Sequence, residues 1–356
     1  EFGYYLVRVE HGPTHAEVQA AIDALAARSD VESVVGISAP SPVPTTHRVP
    51  DDGAGWNTPD WQVVNAASVG QNWAFEMADF PLAWGCSVGD PATTVAVLDR
   101  TLAVQGVGDF SANLDPAGSV ALNSHLGEFE HGTATLSLVA ADGDNQQGMT
   151  GAMWSARLLG YDVATDQAGA PLTGPTGAPA QTQFSVPWRL GEAIRAGAMV
   201  VSMSLASDDA QTAFQTNDTA AVRRVVEPIL QTLRLHDRFG PRVPLLVIAA
   251  GNIDAPGSPT DAFWSGYTVV ADSFPATTLV VASHDDQGQL AASSRTGALV
   301  DLAAGGEGAY MLDRTGAVIQ DSGTSYAAPL VAGAAGLLFS FDPSLTPGQV
   351  RDFLVA

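Results

Sequence analysis

Four residues spread along the chain are of the types that acyl transfer needs: Asp99, His131, Asn252 and Ser325. A serine hydroxyl attacks a carbonyl only when a base takes its proton, and an imidazole serves best when a carboxylate holds its ring. Ser325 stands in Asp321-Ser322-Gly323-Thr324-Ser325-Tyr326-Ala327-Ala328-Pro329, ahead of the small apolar run Leu330 to Leu338. Gly323 and Thr324 allow the tight turn that presents a hydroxyl at a helix N-terminus, where free N–H groups and the positive dipole end favour a developing oxyanion. Taken alone, a Gly-Thr-Ser is more often a serine cap on a core helix. The residues upstream change that balance.

Each of the other groups sits at the end of an element that can hold it. Thr94 to Asp99 is a β-branched and apolar run closing on a carboxylate, as expected of a buried parallel strand with Asp99 at its C-terminal end. Open α/β sheets place their sites at that end. His131 opens the small-residue series Gly132 to Ala140, read as a loop entering a helix, and Asn252 follows Ala249-Ala250-Gly251 at the end of an apolar run from Val243. Singly, Asp99 is a turn residue, His131 a surface cap and Asn252 a turn former. Together, the chain order Asp, His, Ser is one of the three known triad orders.

Five segments carry a family resemblance: Val95 to Asp99, His131-Gly132-Thr133, Val201 to Leu205, Ala249 to Asn252 and Gly323 to Pro329. In this order they resemble the subtilisin-like serine peptidases. The resemblance implies a three-layer α/β fold with a mainly parallel central sheet, and endopeptide hydrolysis through an acyl-enzyme. It implies Ser325 as nucleophile, His131 as general base and then acid, Asp99 as the group orienting the imidazole, and Asn252 as an oxyanion donor beside the Ser325 N–H. By the same resemblance Ser204, Leu205, Ala206 and Gly251 meet the substrate, whose backbone pairs with the chain by strand addition. The polypeptide substrate is the expected partner. Departures are Arg100 in place of a small hydroxyl residue, Ala134 for a second His, Trp154 for Pro, Arg295 for Asn and Gly305 for Pro. Arg100 motivates a second expectation, a degenerate relative that binds peptides without cutting them, and a latent precursor is a third.

Three domains are expected along the chain. Residues 1–38 read strand, helix, strand, and resemble half of the propeptide that precedes such catalytic domains, an intramolecular partner that folds and inhibits them. Glu1-Phe2 resembles a cloning scar. Residues 39–60 form a linker with Pro40, Pro42, Pro44, Pro50 and Pro59. The catalytic domain spans 61–356, with aromatic residues Trp61, Trp73, Phe75 and Trp84 read as core. Within it, Ala164 to Pro187 reads as a long Gly/Pro/Thr-rich insertion, Leu190 to Ala196 as a helix, and Ala220 to Phe239 as a long amphipathic helix.

Composition limits the classes further. The 356 residues, 46% hydrophobic and 15% charged, suffice for one large core and a small extra unit. All fifteen basic residues are Arg, and the net charge of −23 argues against binding phosphate backbones, so no nucleic acid is expected as a partner. The single Cys86 excludes an internal disulfide and reads as a small core residue. No apolar run looks long enough to span a membrane, and no signal peptide is visible, so a secreted location rests on the resemblance. No cofactor is expected to be required and no metal site is assigned. Asp142, Asp144 and Asn145 raise a structural calcium ion, against which stands the plainer reading of a solvated turn.

Overall fold

Six strands pair into one sheet, every neighbouring pair parallel, in the order Ser155–Asp162, Gly89–Asp99, Val200–Met203, Leu245–Ala249, Thr278–His284 and Leu302–Gly305. The computed structural model describes Arg48, Pro50, Asp52 and residues 72–124, 131–173, 181–182, 184–240 and 242–356. The unit read at 1–38, nearly all of the linker at 39–60 and the lead-in with Trp61 lie outside the described residues. The strands are β1 Gly89–Asp99, β2 Ser155–Asp162, β3 Val200–Met203, β4 Leu245–Ala249, β5 Thr278–His284 and β6 Leu302–Gly305. The central strands β3, β4 and β5, buried on both faces, read as continuous apolar runs without polar alternation.

Alternate strand residues face two separate cores. Val95 and Val97 join Leu158, Val200, Val247 and Val281 on one face, while Ala96 and Leu98 join Leu159, Val201, Met203 and Ile248 on the other. The first face is covered by α3, His131–Ala140, and α8, Thr324–Phe341. The second is covered by α4, Ser185–Arg195, and α6, Thr219–Phe239, whose Val222, Val226, Ile229, Leu230 and Leu233 point inward. Three layers result, as expected. Because all six strands run the same way, the turns after β1, β3 and β4 emerge along one edge. That edge brings Asp99, Ser204 and Asn252 to the same side of the sheet, beside the point where strand order reverses at β1.

Helix α8 is the central pillar, meeting α3 and strands β1, β3, β4, β5 and β6. Its lack of side-chain bulk permits this: a Cβ on Gly336 would lie 2.3 Å from the Met153 sulfur, and one on Gly333 2.3 Å from the Ala152 Cβ. Here one expectation is corrected, since Thr324–Phe341 is long and apolar enough to cross a membrane. Its place among five strands shows why length and hydropathy do not separate a spanning helix from the core helix of a large α/β domain. A hairpin of β7, Ala309–Leu312, and β8, Val318–Asp321, leads into it.

The short helices α1, Trp73–Met77, and α2, Phe80–Trp84, carry an aromatic cluster in which Phe75, Phe80, Trp84 and Trp154 stack with centroids 5.2–5.9 Å apart. Trp73, Phe75 and Trp84 are buried as expected, and Trp154 and Ala134 serve packing. A Cβ on Gly305 would meet Trp73 and Ala74 at 2.7–2.9 Å, so the aromatic packing excludes a larger residue there. Cys86 is a further correction: it is exposed just after α2, where the chain turns toward β1, and not in the core. Helix α4 starts earlier than expected, because Pro187 fits its first turn, where no N–H is needed. Two short elements, α5 at Asp208–Gln215 and α7 at Val270–Ser273, flank α6, and α9, Pro347–Val355, closes the chain behind a Thr346/Gln349 capping box.

The acidic turn after α3 is solvated only in part: Asp144 is exposed, whereas Asp142 is not. Asp142 is buried and accepts from Ser111 Oγ and from the N–H groups of Ala112 and Asn113. The N–H groups of Asp144, Asn145 and Gln146 converge on the buried carboxylate of Asp52 at 2.5–2.8 Å. Asn145 Nδ2 donates to Asp109, and burial pushes the Asp109 carboxyl up to about 6.

Candidate active site

Asp99 is fully buried at the end of β1 and has its oxygens divided between partners. Oδ1 accepts from the Arg100 N–H and lies 2.7 Å from His131 Nδ1. Oδ2 accepts from Thr135 Oγ1 at 2.9 Å. A carboxylate held this way fixes which ring nitrogen of His131 carries its proton, leaving the other as an acceptor. His131 is the first residue of α3, where its main chain is tied back by the Gly132 N–H to the Arg100 carbonyl. A Cβ on Gly132 would lie 2.6 Å from that carbonyl oxygen, so glycine is required after the histidine. Arg100 therefore serves the site through its main chain, while its side chain is exposed.

Ser325 lies in the first turn of α8. Pro329 has no N–H to give the carbonyl four residues earlier, which belongs to Ser325. Ser204 Oγ supplies the missing donor at 2.8 Å, so a hydroxyl from the end of β3 closes the gap in the helix ladder. The ring of the next residue, Tyr326, sits 5.8 Å from the His131 ring, which places the nucleophile turn against the imidazole. The Tyr326 hydroxyl donates to Asp321 at 2.6 Å, and burial together with that carboxylate holds its pKa well above the phenolic range.

Asn252 is locked through its amide. Its Oδ1 accepts from both the N–H and Oγ1 of Thr324 at 3.0 Å, so the N–H₂ end must point the other way. Thr324 Oγ1 also accepts the Gly251 N–H at 3.0 Å, joining the turn after β4 to the turn before the serine. Gly251 has φ +94°, and a Cβ there would stand 2.0 Å from Ser265 Oγ. No side chain fits. From below, Arg295 Nε donates to the Asn252 carbonyl at 3.0 Å and its Nη1 donates to Ser265 Oγ at 3.1 Å.

The structure thus gathers Asp99, His131, Asn252 and Ser325, together with Ser204, Leu205 and Gly251, along one edge of the sheet. The Ala206 carbonyl accepts from Gln181 Nε2, a residue of the long insertion. Thr324 reads from sequence only as part of a tight turn and Arg295 only as a departure from the family pattern; Thr135 has no sequence signal beyond its spacing one turn after His131, on the same face of the helix. On the other side of the nucleophile turn, a cavity of about 590 Å³ is lined by Asp285, Asp286, Glu307 and Asp321 with Trp73 and Tyr310.

The residues raised for calcium have their side chains engaged by protein groups. Both Asp142 oxygens are engaged by main-chain and hydroxyl donors, Asp144 faces Arg48, and Asn145 turns its amide to Asp109. Among the described residues no group of three His, Cys, Asp or Glu side chains could hold a metal ion.

Comparison with known proteins agrees with this geometry. Subtilisin DY of Bacillus licheniformis is 28% identical over 225 residues, which are 63% of this chain and 68% of that one. Among solved structures, the prenylagaramide maturation protease PagA superposes with a TM-score of 0.52 at 23% identity, covering 77% of this chain and 85% of that chain. MycP1 of Mycobacterium smegmatis does so with a TM-score of 0.53 at 24% identity, covering 79% and 76%. These two show the fold. The sequence profile of the Subtilase family matches residues 90–356, three quarters of the chain and every residue of the site, and so the chain belongs to that family and is a subtilisin-like serine peptidase.

Proposed function

We propose that the protein cleaves internal peptide bonds through an acyl-enzyme formed on Ser325. His131 takes the Ser325 proton through the nitrogen that Asp99 leaves free, Ser325 Oγ attacks the carbonyl carbon, and the carbonyl oxygen becomes an oxyanion. Asn252 Nδ2 and the Ser325 N–H donate to that oxyanion. His131 then gives the proton to the departing amine, and water repeats the sequence to release the acid. The observation that carries this reading is the locking of two groups before substrate arrives: the imidazole by a fully buried carboxylate, and the Asn252 amide by Thr324. Preorganised donors of this kind supply much of the catalysis of acyl transfer.

The substrate strand is placed against Ser204, Leu205 and Ala206, with Gly251 on the opposite wall. Gln181 donates to the Ala206 carbonyl, the group that a substrate N–H would also use. This contact supports a reading in which the insertion shapes the substrate edge. Secretion, and residues 1–38 as an intramolecular inhibitor, belong to the same proposal and rest on the resemblance.

Replacement of Ser325 by Ala tests the mechanism. The variant keeps its thermal transition, loses turnover of a fluorogenic peptide mixture, and takes no adduct from a fluorophosphonate that modifies the wild type. Retained cleavage by purified Ser325→Ala would sink the assignment.

A further inference from the structure

Arg295 is one of the largest fully buried side chains, 1% exposed, in a chain that carries 38 carboxylates and 15 basic residues. A buried guanidinium ordinarily has a carboxylate beside it. Arg189, the other fully buried arginine among the described residues, has Glu192 at 2.7 Å. Among the described residues no carboxylate lies in ion-pair contact with Arg295, whose side chain donates to neutral groups, the Asn252 carbonyl and Ser265 Oγ. Burial accordingly draws its pKa down from the usual guanidinium range, offset only by the nearby Asp254. The position of this cation is specific. Its Nε holds the main chain of Asn252, its own N–H donates to the Gly251 carbonyl at 2.9 Å, and its Cδ packs 3.2 Å from where a Gly251 Cβ would stand. Through Ser265 Oγ it also reaches the Ala250 carbonyl. The side chain thus fastens Ala250 and Asn252, while the main chain of the same residue fastens Gly251 between them.

We propose that Arg295 is a positioning residue for peptide-bond cleavage: it clamps the 250–252 turn so that the Asn252 amide is aimed at the reacting carbonyl, and its positive charge, which has no ion-pair contact among the described residues, favours the oxyanion as it forms. The proposal rests on the acyl-enzyme reading above. A cation with no contact ion pair in the resting site interacts more strongly with the oxyanion than with the neutral carbonyl, which lowers the barrier without tightening substrate binding. Arg295 acts through Asn252 and touches no substrate atom.

The test is a double-mutant cycle in the full chain, read by the rate of fluorophosphonate adduct formation, since the phosphonyl oxygen takes the place of the oxyanion, and by kcat and KM on one fluorogenic peptide. Arg295→Met is expected to slow adduct formation and kcat by about 10- to 100-fold with KM little changed, a loss smaller than that of an oxyanion donor itself. In an Asn252→Ala background the same substitution should cost no more than about threefold, because coupled residues do not add. Arg295→Lys keeps the charge and one donor, and should recover part of the rate. Equal losses in both backgrounds, or a Met variant as fast as wild type, would overturn the proposal. If Arg295→Met does not fold, the Lys variant is put through the same cycle, and failure of both to fold assigns Arg295 to folding and overturns it likewise. A wild type that takes no adduct sinks the acyl-enzyme reading and this proposal together, whereas a reactive wild type with additive losses sinks this proposal alone.

Discussion

Thr135→Val isolates one hydrogen bond of the site. Thr135 Oγ1 is buried and lies 2.9 Å from Asp99 Oδ2 and 3.0 Å from the Gly132 carbonyl. The charged acceptor draws the proton, and a hydrogen bond to a charged group contributes about 1.5–3 kcal/mol. Valine keeps the shape and removes the donor, leaving Oδ2 of a carboxylate with no solvent exposure short of a partner. We expect a loss near 2 kcal/mol, or a fall in Tm of roughly 4 °C for a domain of this size. The same change frees the carboxylate to turn about its Cβ–Cγ bond, since Oδ1 alone remains tied, to the Arg100 N–H and His131. Misalignment of His131 should lower kcat/KM roughly tenfold, about 1.4 kcal/mol of the lost interaction being felt in the transition state. Differential scanning fluorimetry and progress curves on one peptide read the two effects, with Thr135→Ser as the variant that restores both. A fall in Tm with kcat/KM unchanged would show that Thr135 supports only the start of α3, and an unchanged Tm would remove the hydrogen bond from the argument.

Gly251→Ala should abolish activity and lower stability, since φ +94° costs an alanine about 1–2 kcal/mol before its Cβ meets Ser265 Oγ at 2.0 Å; a fully active, equally stable variant would refute the packing of this turn. Asp109 governs a pH effect: burial raises its carboxyl from 3.8 to about 6, so the folded state holds a proton that the unfolded chain gives up, and stability from this group falls as pH rises from about 4 to 6 and stays low above. Urea unfolding of wild type and Asp109→Asn across pH 4–7 should give curves whose separation changes through that window and is constant above it; parallel curves throughout would refute the assignment.

The catalytic framework was legible because its residues sit at the ends of short, strongly apolar runs. A parallel strand such as Thr94 to Asp99 declares both its burial and its C-terminal end, and the fold class follows from six such runs alternating with helices. His131 was found as the first residue of α3 for the same reason, the small residues behind it having no other use than close packing. The supporting residues were harder to see. Thr324 and Thr135 are ordinary threonines until the chain is folded, and their role is a matter of which oxygen lies within reach. Arg295 was seen only as a departure from the pattern, because burial of a cation cannot be read from its neighbours Ser294 and Thr296. Cys86 misled by residue type: cysteines are usually buried, yet this one lies on the turn between α2 and β1. The apolar length of α8 misled in the opposite direction, since a helix enclosed by five strands has the composition of one enclosed by lipid.

The proline in α8 changes the frame to which the nucleophile is referred. In an unbroken helix the Ser325 carbonyl would be bonded within its own ladder, and the serine would follow every bend and axial shift of the pillar behind it. With that bond replaced by one from Ser204, across 121 residues of sequence, the first turn is anchored to the rim of the sheet. The long helix thereby has one link fewer to the serine turn, while movement of the edge that receives a peptide reaches that turn through Ser204. The seating of a substrate strand and the aim of the attacking oxygen become one mechanical coordinate.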